Sequence, residues 1–174
     1  KKIIKPLNLL TLKPILYVAN ISESDLPKPK ISELPEIPKK VFESLVFVSA
    51  KLEEEFSDLD QKEIKEYLSS CGMKQSSLDE LIRESYRLLN LITFYTTTDD
   101  LAQAWPIKNG STALKAAGKV HTDFAKKFIR AEALPFKDLV ESDGVFEASK
   151  KGKVHAQGKK YLVKDGEIIY FRHN

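Results

Sequence analysis

The sequence predicts an α+β protein in two parts, and two observations lead to this fold class. Short apolar runs rich in branched and aromatic residues, which are typical of strands, occur among segments in which apolar residues recur at helical spacing. The pattern changes near Leu91, where helices give way to strands separated by turn signals. We therefore expect residues 1–90 to be the closing segment of a larger α/β domain, and residues 91–174 to be a self-contained mixed sheet with packed helices.

Two apolar runs in the first part are predicted to be strands. Residues 14–19 and Leu45–Val48 are continuous apolar stretches, which indicates strands buried on both faces of a parallel sheet. Residues 24–40 between them hold four prolines among charged residues, so this segment is predicted to be loop. Because two strands do not make a stable sheet alone, we expect the remaining strands to come from a longer protein.

Two helices are predicted after the second strand. Apolar residues recur at helical spacing between about residues 51 and 68. The next helix is predicted to begin at Ser77, because Ser77 and Glu80 have the spacing of a capping box. Its apolar stripe continues to Leu89, and Asn90 ends it.

The second part is predicted to be mainly strands joined by turns. Asp99-Asp100 is predicted to turn the first strand back into the second, and Asp165-Gly166 has the composition of a hairpin turn between the last two. A short helix is predicted at 145–151. The predicted strands are 91–97, 102–107, 128–136, 161–163 and 167–172.

A helical segment lies in the middle of this second part. Asn109-Gly110 is a strong turn signal, and Thr112 is predicted to cap a helix over residues 113–119, because its hydroxyl can accept a free amide hydrogen. Gly118 is predicted to serve the left-handed position at the helix end. His121 is predicted to have a helix-capping or structural role, since no nucleophile or metal cluster accompanies it.

Composition and charge exclude some classes of function. The single cysteine, Cys71, leaves no partner for an internal disulfide, and no Cys/His cluster has zinc spacing, so no metal site is predicted. No run approaches the roughly 18 apolar residues of a spanning helix, so we expect no membrane partner. Residues 1–90 hold 14 Lys and Arg against 15 Asp and Glu, whereas residues 91–174 hold 14 against 10. The second part therefore favours an anionic partner.

Two short polar segments follow the two predicted strands of the first part. Doubly wound sheets bind ligands beyond the carboxyl ends of their strands, so these segments are candidates for a binding site. The alternative is that each is an ordinary transition from strand to loop. The segments are Asn20-Ile21-Ser22-Glu23 and Ser49-Ala50-Lys51.

Five cations cluster in the middle of the second part. If they converge in the folded protein, they form a patch that contacts phosphates. The alternative is that spaced lysines on short helices only keep the surface soluble. The five residues are Lys115, Lys119, Lys126, Lys127 and Arg130.

The order of these features, followed by GSTALKAAGKVHTDFAKKFIRAEAL from Gly110 onward, resembles the YchF-type ATPases, a branch of the Obg-related P-loop NTPases. The resemblance implies that residues 1–90 are the C-terminal segment of a P-loop nucleotide-binding domain. It also implies that residues 91–174 are a TGS domain, which has a β-grasp (ubiquitin-like) fold. Nearly all of this chain takes part in the resemblance, but it corresponds only to the last part of such a protein.

The resemblance also implies a nucleotide site with a preference for ATP, with GTP possible. P-loop GTPases in general carry Asn-Lys-x-Asp, in which the aspartate accepts two hydrogen bonds from guanine. Here Ile21 replaces the lysine and Glu23 replaces the aspartate, as in the YchF-type ATPases. The residues implied to contact or border the base are Asn20, Ile21, Glu23, Ser49, Ala50 and Lys51.

The sequence lacks the GxxxxGK[ST] loop and the aspartate motif for magnesium. We therefore expect no catalytic residue in this chain, and Mg²⁺ only through a missing N-terminal half. The implied parent protein is a cytoplasmic ATPase/GTPase that associates with the ribosome and ribosomal RNA. Two alternatives stay open, namely an RNA- or ribosome-binding β-grasp module without its own nucleotide site, and a protein-interaction adaptor that uses its sheet edge.

Overall fold

The computed structural model describes residues 5–27, 38–98 and 101–174. The chain divides into two compact units, Lys1–Leu89 and Asn90–Asn174, called here the first and second unit. Helices and both parallel and antiparallel strands are present, which confirms the α+β class predicted from the sequence. The turn predicted at Asp99-Asp100, and most of the loop predicted over 24–40, lie outside the described residues.

The first unit contains a two-stranded parallel sheet and four α-helices among its described residues. Strand β1 (Tyr17–Asn20) pairs with β2 (Leu45–Val48), so that Asn20 lies opposite Val48. Short 3-10 turns occur at Lys5–Leu7, Leu10–Leu12 and Glu23–Asp25. The helices are α1 (Lys39–Phe42), α2 (Ala50–Phe56), α3 (Gln61–Ser70) and α4 (Ser77–Leu88).

Strand β1 is more exposed than its apolar sequence predicts. Tyr17 is 48% exposed and Val18 is 47% exposed, so the prediction of burial on both faces is wrong for this strand. Within the part of the chain that the structure describes, β1 pairs with β2 alone. Strand β2 buries Val46 and Phe47, as predicted.

The helical segment predicted over 51–68 is two helices, because a cap begins a new helix at Asp60. The Asp60 carboxylate accepts hydrogen bonds from the amides of Lys62 and Glu63, and the Glu63 carboxylate accepts one from the Asp60 amide at 2.9 Å. The cap of α4 lies one residue before the serine that the sequence predicts. Ser76, not Ser77, accepts the hydrogen bond from the Asp79 amide.

The second unit is built on a five-stranded mixed sheet. Its strands are β3 (Leu91–Thr97), β4 (Ala102–Lys108), β5 (Phe128–Pro135), β6 (His155–Gln157) and β7 (Glu167–His173). Their order in the sheet is β4-β3-β7-β5-β6. The first and last strands of the unit, β3 and β7, run parallel at its centre, and β7 pairs antiparallel with β5. This is the strand order of a β-grasp sheet.

One helix of the second unit packs on this sheet through small side chains. This helix, Ala113–Val120, buries Ala113, Ala116 and Ala117 fully in one cluster with Phe94 and Ile169, so it approaches the sheet closely. The unit's helices are α5 (Ala113–Val120), α6 (Thr122–Lys126), α7 (Phe136–Ser142) and α8 (Val145–Lys150). Across the described residues, none of the helices combines the length and apolar character that crossing a bilayer requires.

The hairpin predicted at Asp165-Gly166 is absent from this unit. Residues 161–163 contribute one isolated bridge, from Leu162 to Thr112, rather than a strand. The Asp165 carboxylate instead accepts a hydrogen bond from the Thr93 amide at 2.8 Å, which steers the chain into the parallel pairing with β3.

Gly118 does not end its helix in a left-handed conformation, contrary to the prediction. It lies inside α5, and a Cβ atom added to it would be 3.2 Å from the Cβ of Ala125 on α6. The glycine therefore allows two consecutive helices to approach each other.

Candidate functional site

The two polar segments singled out in the first unit adjoin at one edge of the parallel sheet. Strands β1 and β2 are parallel and in register, so both segments begin at the same edge. The Asn20 side-chain oxygen accepts a hydrogen bond from the Ala50 amide at 3.1 Å. The Ile21 amide donates to the carbonyl of Val48 at 2.9 Å. Hydrogen bonds therefore tie the first segment to the second.

Glu23 of the first segment is held by a residue that the sequence analysis did not select. The Tyr67 hydroxyl, on α3, donates a hydrogen bond to Oε1 of Glu23. This bond to the carboxylate, with a smaller contribution from burial, raises the pKa of Tyr67 above its ordinary value. Tyr67 lies within the segment of helical spacing predicted between about residues 51 and 68, and periodicity carries no signal for such a contact.

The second segment forms the start of α2. Ser49 is buried, and its carbonyl accepts a hydrogen bond from the Glu53 amide at 3.0 Å. Lys51 is exposed and lies 3.8 Å from Glu55, one helical turn away. Ser49 thus supports the loop from inside, whereas Ala50 and Lys51 lie at the surface.

This edge of the sheet combines apolar surface with hydrogen-bonding groups. Half-buried Ile21 and the long stem of Lys51 supply apolar surface, and Asn20 and Glu23 supply polar atoms. No group of three or more His, Cys, Asp or Glu that could hold a metal ion occurs among the described residues.

The cationic cluster predicted in the second unit separates into differently placed residues. Lys115 and Lys119 lie one turn apart on α5, and both line an open groove of about 550 Å³ that Lys108 also lines. Apolar side chains, including Leu114 and Ala125, line the same groove. In the described part of the chain, Lys115 and Lys119 form no ion pair, so their charge faces solvent.

The other three cations lie elsewhere, and two of them face carboxylates. Lys126 is 3.8 Å from Asp123 on α6, and Arg130 is 2.8 Å from Glu132 on β5. Lys127 is exposed, and its backbone carbonyl accepts a hydrogen bond from the C-terminal residue. Of the five predicted cations, Lys115 and Lys119 therefore lie together on α5, and Lys127 lies apart from them.

Comparison with known proteins adds to this geometry. Residues 91–174 match the family YchF-GTPase_C, described as a protein of unknown function (DUF933). The whole chain is also 40% identical to the ribosome-binding ATPase YchF of Bacillus subtilis (strain 168), of which it covers 49%. This chain is a homologue of the YchF proteins. The second unit corresponds to the C-terminal YchF domain.

Other relatives agree with this assignment. The ribosome-binding ATPase YchF of Escherichia coli O157:H7 is 40% identical over the whole chain, which covers 48% of that relative. The structure of the Schizosaccharomyces pombe YchF GTPase superposes with a TM-score of 0.83 at 33% identity, covering 98% of this chain and 46% of that one. A GTP-binding protein from Pyrococcus horikoshii OT3 shares the fold, with a TM-score of 0.56 at 20% identity. The chain spans about half the length of the curated YchF relatives it matches.

Proposed function

We propose that this chain is the C-terminal part of a ribosome-associated P-loop protein that binds and hydrolyses ATP in preference to GTP in the cytoplasm. The proposal rests on one observation. The two polar segments adjoin at one sheet edge, where the hydrogen bond from the Ala50 amide to Asn20 joins them. Ligands of open α/β sheets bind at such edges. Homology to YchF ATPases over the whole chain supports it.

In this proposal the chain supplies the base side of the nucleotide site. Asn20, Ile21 and Glu23 contact the base, and Ser49, Ala50 and Lys51 border it. The groups that bind phosphates and Mg²⁺ belong to the rest of the longer protein, because this sequence holds no phosphate-binding loop. This chain alone is therefore expected to bind nucleotide weakly or not at all.

The preference for ATP follows from the length and surroundings of Glu23. Guanine presents two adjacent hydrogens, and a carboxylate must lie at one particular distance from the base to accept both. A glutamate extends one methylene further than an aspartate. Ile21 adds apolar surface where GTPases in general have lysine. Each unmet polar group costs roughly 1–3 kcal/mol, which is enough to decide between two purines.

The test is the double change Ile21→Lys with Glu23→Asp in the full-length protein, with ATP and GTP affinities measured by calorimetry. The ratio of affinities should move toward GTP. Glu66→Asp makes the same shortening on the exposed face of α3 and should leave the ratio unchanged. An unaltered ratio in the double variant would contradict base selection by this segment.

We further propose that the second unit is a TGS domain that contacts ribosomal RNA. The observation that favours this role is the groove beside α5, where Lys115 and Lys119 present positive charge next to apolar surface. The full predicted patch also includes Lys126, Lys127 and Arg130. If the base site proved inactive, this surface would still support the alternative function of an RNA- or ribosome-binding β-grasp module.

Reversal of Lys115 and Lys119 to glutamate should reduce co-sedimentation with ribosomes, and binding by the unaltered protein should fall steeply with salt. Reversal of Lys126 and Lys127 should have the smaller effect, because Lys126 already faces Asp123. Lys150→Glu with Lys151→Glu, at the end of α8 in the same unit, is the charge-matched control. Equal binding by all variants would remove the α5 surface from the proposal.

A further inference from the structure

We propose that Tyr67 is a positioning residue for base selection, because it fixes the Glu23 carboxylate in an orientation that guanine cannot use. The inference rests on the proposed nucleotide site and goes beyond the choice of residues within the two polar segments. It assigns part of the specificity to α3, 44 residues away from Glu23 along the chain. The Tyr67 hydroxyl donates and the Glu23 carboxylate oxygen accepts.

The ring of Tyr67 is held firmly enough to act as an anchor. It packs edge-on against Phe56 of α2, with ring centroids 5.5 Å apart. Phe56 belongs to a buried cluster with Leu52 and Leu68, on which Tyr67 packs. The helix that carries Tyr67 is also fixed at its start by the capping box at Asp60. The position of the hydroxyl is therefore set by the core of the first unit.

Glu23, by contrast, has little else to hold its side chain. It lies in an exposed 3-10 turn, and a glutamate has three rotatable bonds. Without an anchor, such a side chain can withdraw by changing rotamer and so place both oxygens against the N1 and N2 hydrogens of guanine. The hydrogen bond from Tyr67 removes this freedom and occupies one of the acceptor positions of the carboxylate.

Adenine does not depend on the same adjustment. Adenine presents an acceptor at N1, where guanine presents a donor, and it has no amino group at C2. It therefore lacks the adjacent N1 and N2 hydrogens that a carboxylate receives from guanine. Release of Glu23 from Tyr67 should therefore improve GTP binding and leave ATP binding nearly unchanged. A role of Tyr67 that was only structural would change the affinities for both nucleotides by the same factor.

The experiment measures ATP and GTP affinities of the full-length protein by calorimetry, unaltered and with Tyr67→Phe. Phenylalanine keeps the ring that packs on Phe56 and removes only the hydroxyl. We expect the GTP affinity to rise roughly fivefold to tenfold relative to ATP, the size of one ordinary hydrogen bond. Tyr86→Phe, on α4 of the same unit, is the matched control and should leave the ratio unchanged.

A second arm tests whether Tyr67 acts through Glu23. In a Glu23→Ala background, Tyr67→Phe should no longer change the ratio of affinities. If the unaltered protein binds ATP but Tyr67→Phe leaves the ratio where it was, the role of Tyr67 is overturned and the proposed site survives. The role of Tyr67 is likewise overturned if its effect persists in the Glu23→Ala background. If the unaltered protein binds neither nucleotide, the proposed function and this inference fail together.

Discussion

The Glu132 carboxylate on β5 accepts hydrogen bonds from two guanidinium groups on different strands. Arg130 of the same strand donates to Oε1 at 2.8 Å, and Arg172 of β7 donates to Oε2 at 2.9 Å. The pKa of Glu132 is lowered, chiefly by the hydrogen bond from Arg172 and also by that from Arg130, while burial opposes the shift. The arrangement links neighbouring strands of the second unit and engages a cation that was predicted to face RNA.

This lowered pKa gives the stability of the second unit a defined dependence on pH. A carboxyl group whose pKa is lower when folded contributes stability above its ordinary pKa and loses it as pH falls through the folded pKa. We expect Glu132→Gln to cost on the order of 1 kcal/mol at pH 7, because both arginines lose a charged acceptor. The cost should shrink as pH falls below the ordinary value of 4.5.

Urea unfolding of the chain at a series of pH values measures this effect. Glu141→Gln is the control, since Glu141 forms an exposed pair with Lys137 at 3.6 Å, and such pairs contribute little. The free energy of unfolding is compared between Glu132→Gln and the unaltered chain at each pH. If the difference is constant with pH, the shift in pKa does not contribute to stability.

At the scale of single residues, the sequence predicted the contacts that are local along the chain. The Thr112 hydroxyl accepts from the Lys115 amide, and Nδ1 of His121 accepts from the Asp123 amide at 3.2 Å, so both capping roles are confirmed. Glu132 and Arg172 are 40 residues apart, and no short pattern links them. Tyr67 and Glu23 are also distant in sequence, so Tyr67 was not predicted as part of the candidate site, although the segment that contains Glu23 was.

Among the elements of the second unit, helices α5 and α6 approach each other closely at Gly118. Gly118 stands where a Cβ atom would lie 3.2 Å from that of Ala125, and Gly118 and Ala125 also line the groove beside α5. Any side chain at position 118 therefore presses on α6 or fills the groove. The position demands a small residue for packing, not for a left-handed backbone.

We expect Gly118→Leu to lower the free energy of unfolding by roughly 1–3 kcal/mol, the usual cost of overpacking. Gly118→Ala should cost much less, because the gain in helix propensity offsets a small displacement of α6. Thermal unfolding of both variants provides the measurement, with Lys119→Leu as the control at the exposed neighbouring position. A Leu variant as stable as the control would mean that the two helices separate freely.

Local propensity predicted several elements well and failed where pairing is decided across the sheet. The strand predicted at 91–97 has the bounds of β3, because branched and aromatic residues fill it. Asp165-Gly166 has hairpin composition, but β7 pairs with β3 and β5, which are distant in sequence. The three-residue strand β6 is too short for any periodicity to reveal.

At the scale of the whole molecule, the two units differ in how completely they bury their apolar side chains. The core of the second unit draws on both strands and helices of that unit, with Phe94, Leu134 and Ile169 fully buried. The first unit leaves Ile15, Tyr17 and Val18 exposed on and beside β1. A strand of a parallel sheet is normally covered on both faces, so β1 has the character of a strand that further elements would cover.

These differences predict opposite behaviour for the two units when they are expressed separately. Residues 90–174 should fold alone as a β-grasp domain, with dispersed amide resonances and one cooperative unfolding transition. Residues 1–89 should associate or bind a hydrophobic dye, because β1 exposes apolar residues and, among the residues that the structure describes, pairs along one edge only. The full chain is the reference for both spectra. Random-coil resonances from residues 90–174 would contradict the boundary between the units. If residues 1–89 are monomeric and bind no dye, two parallel strands with their helices suffice for a stable fold.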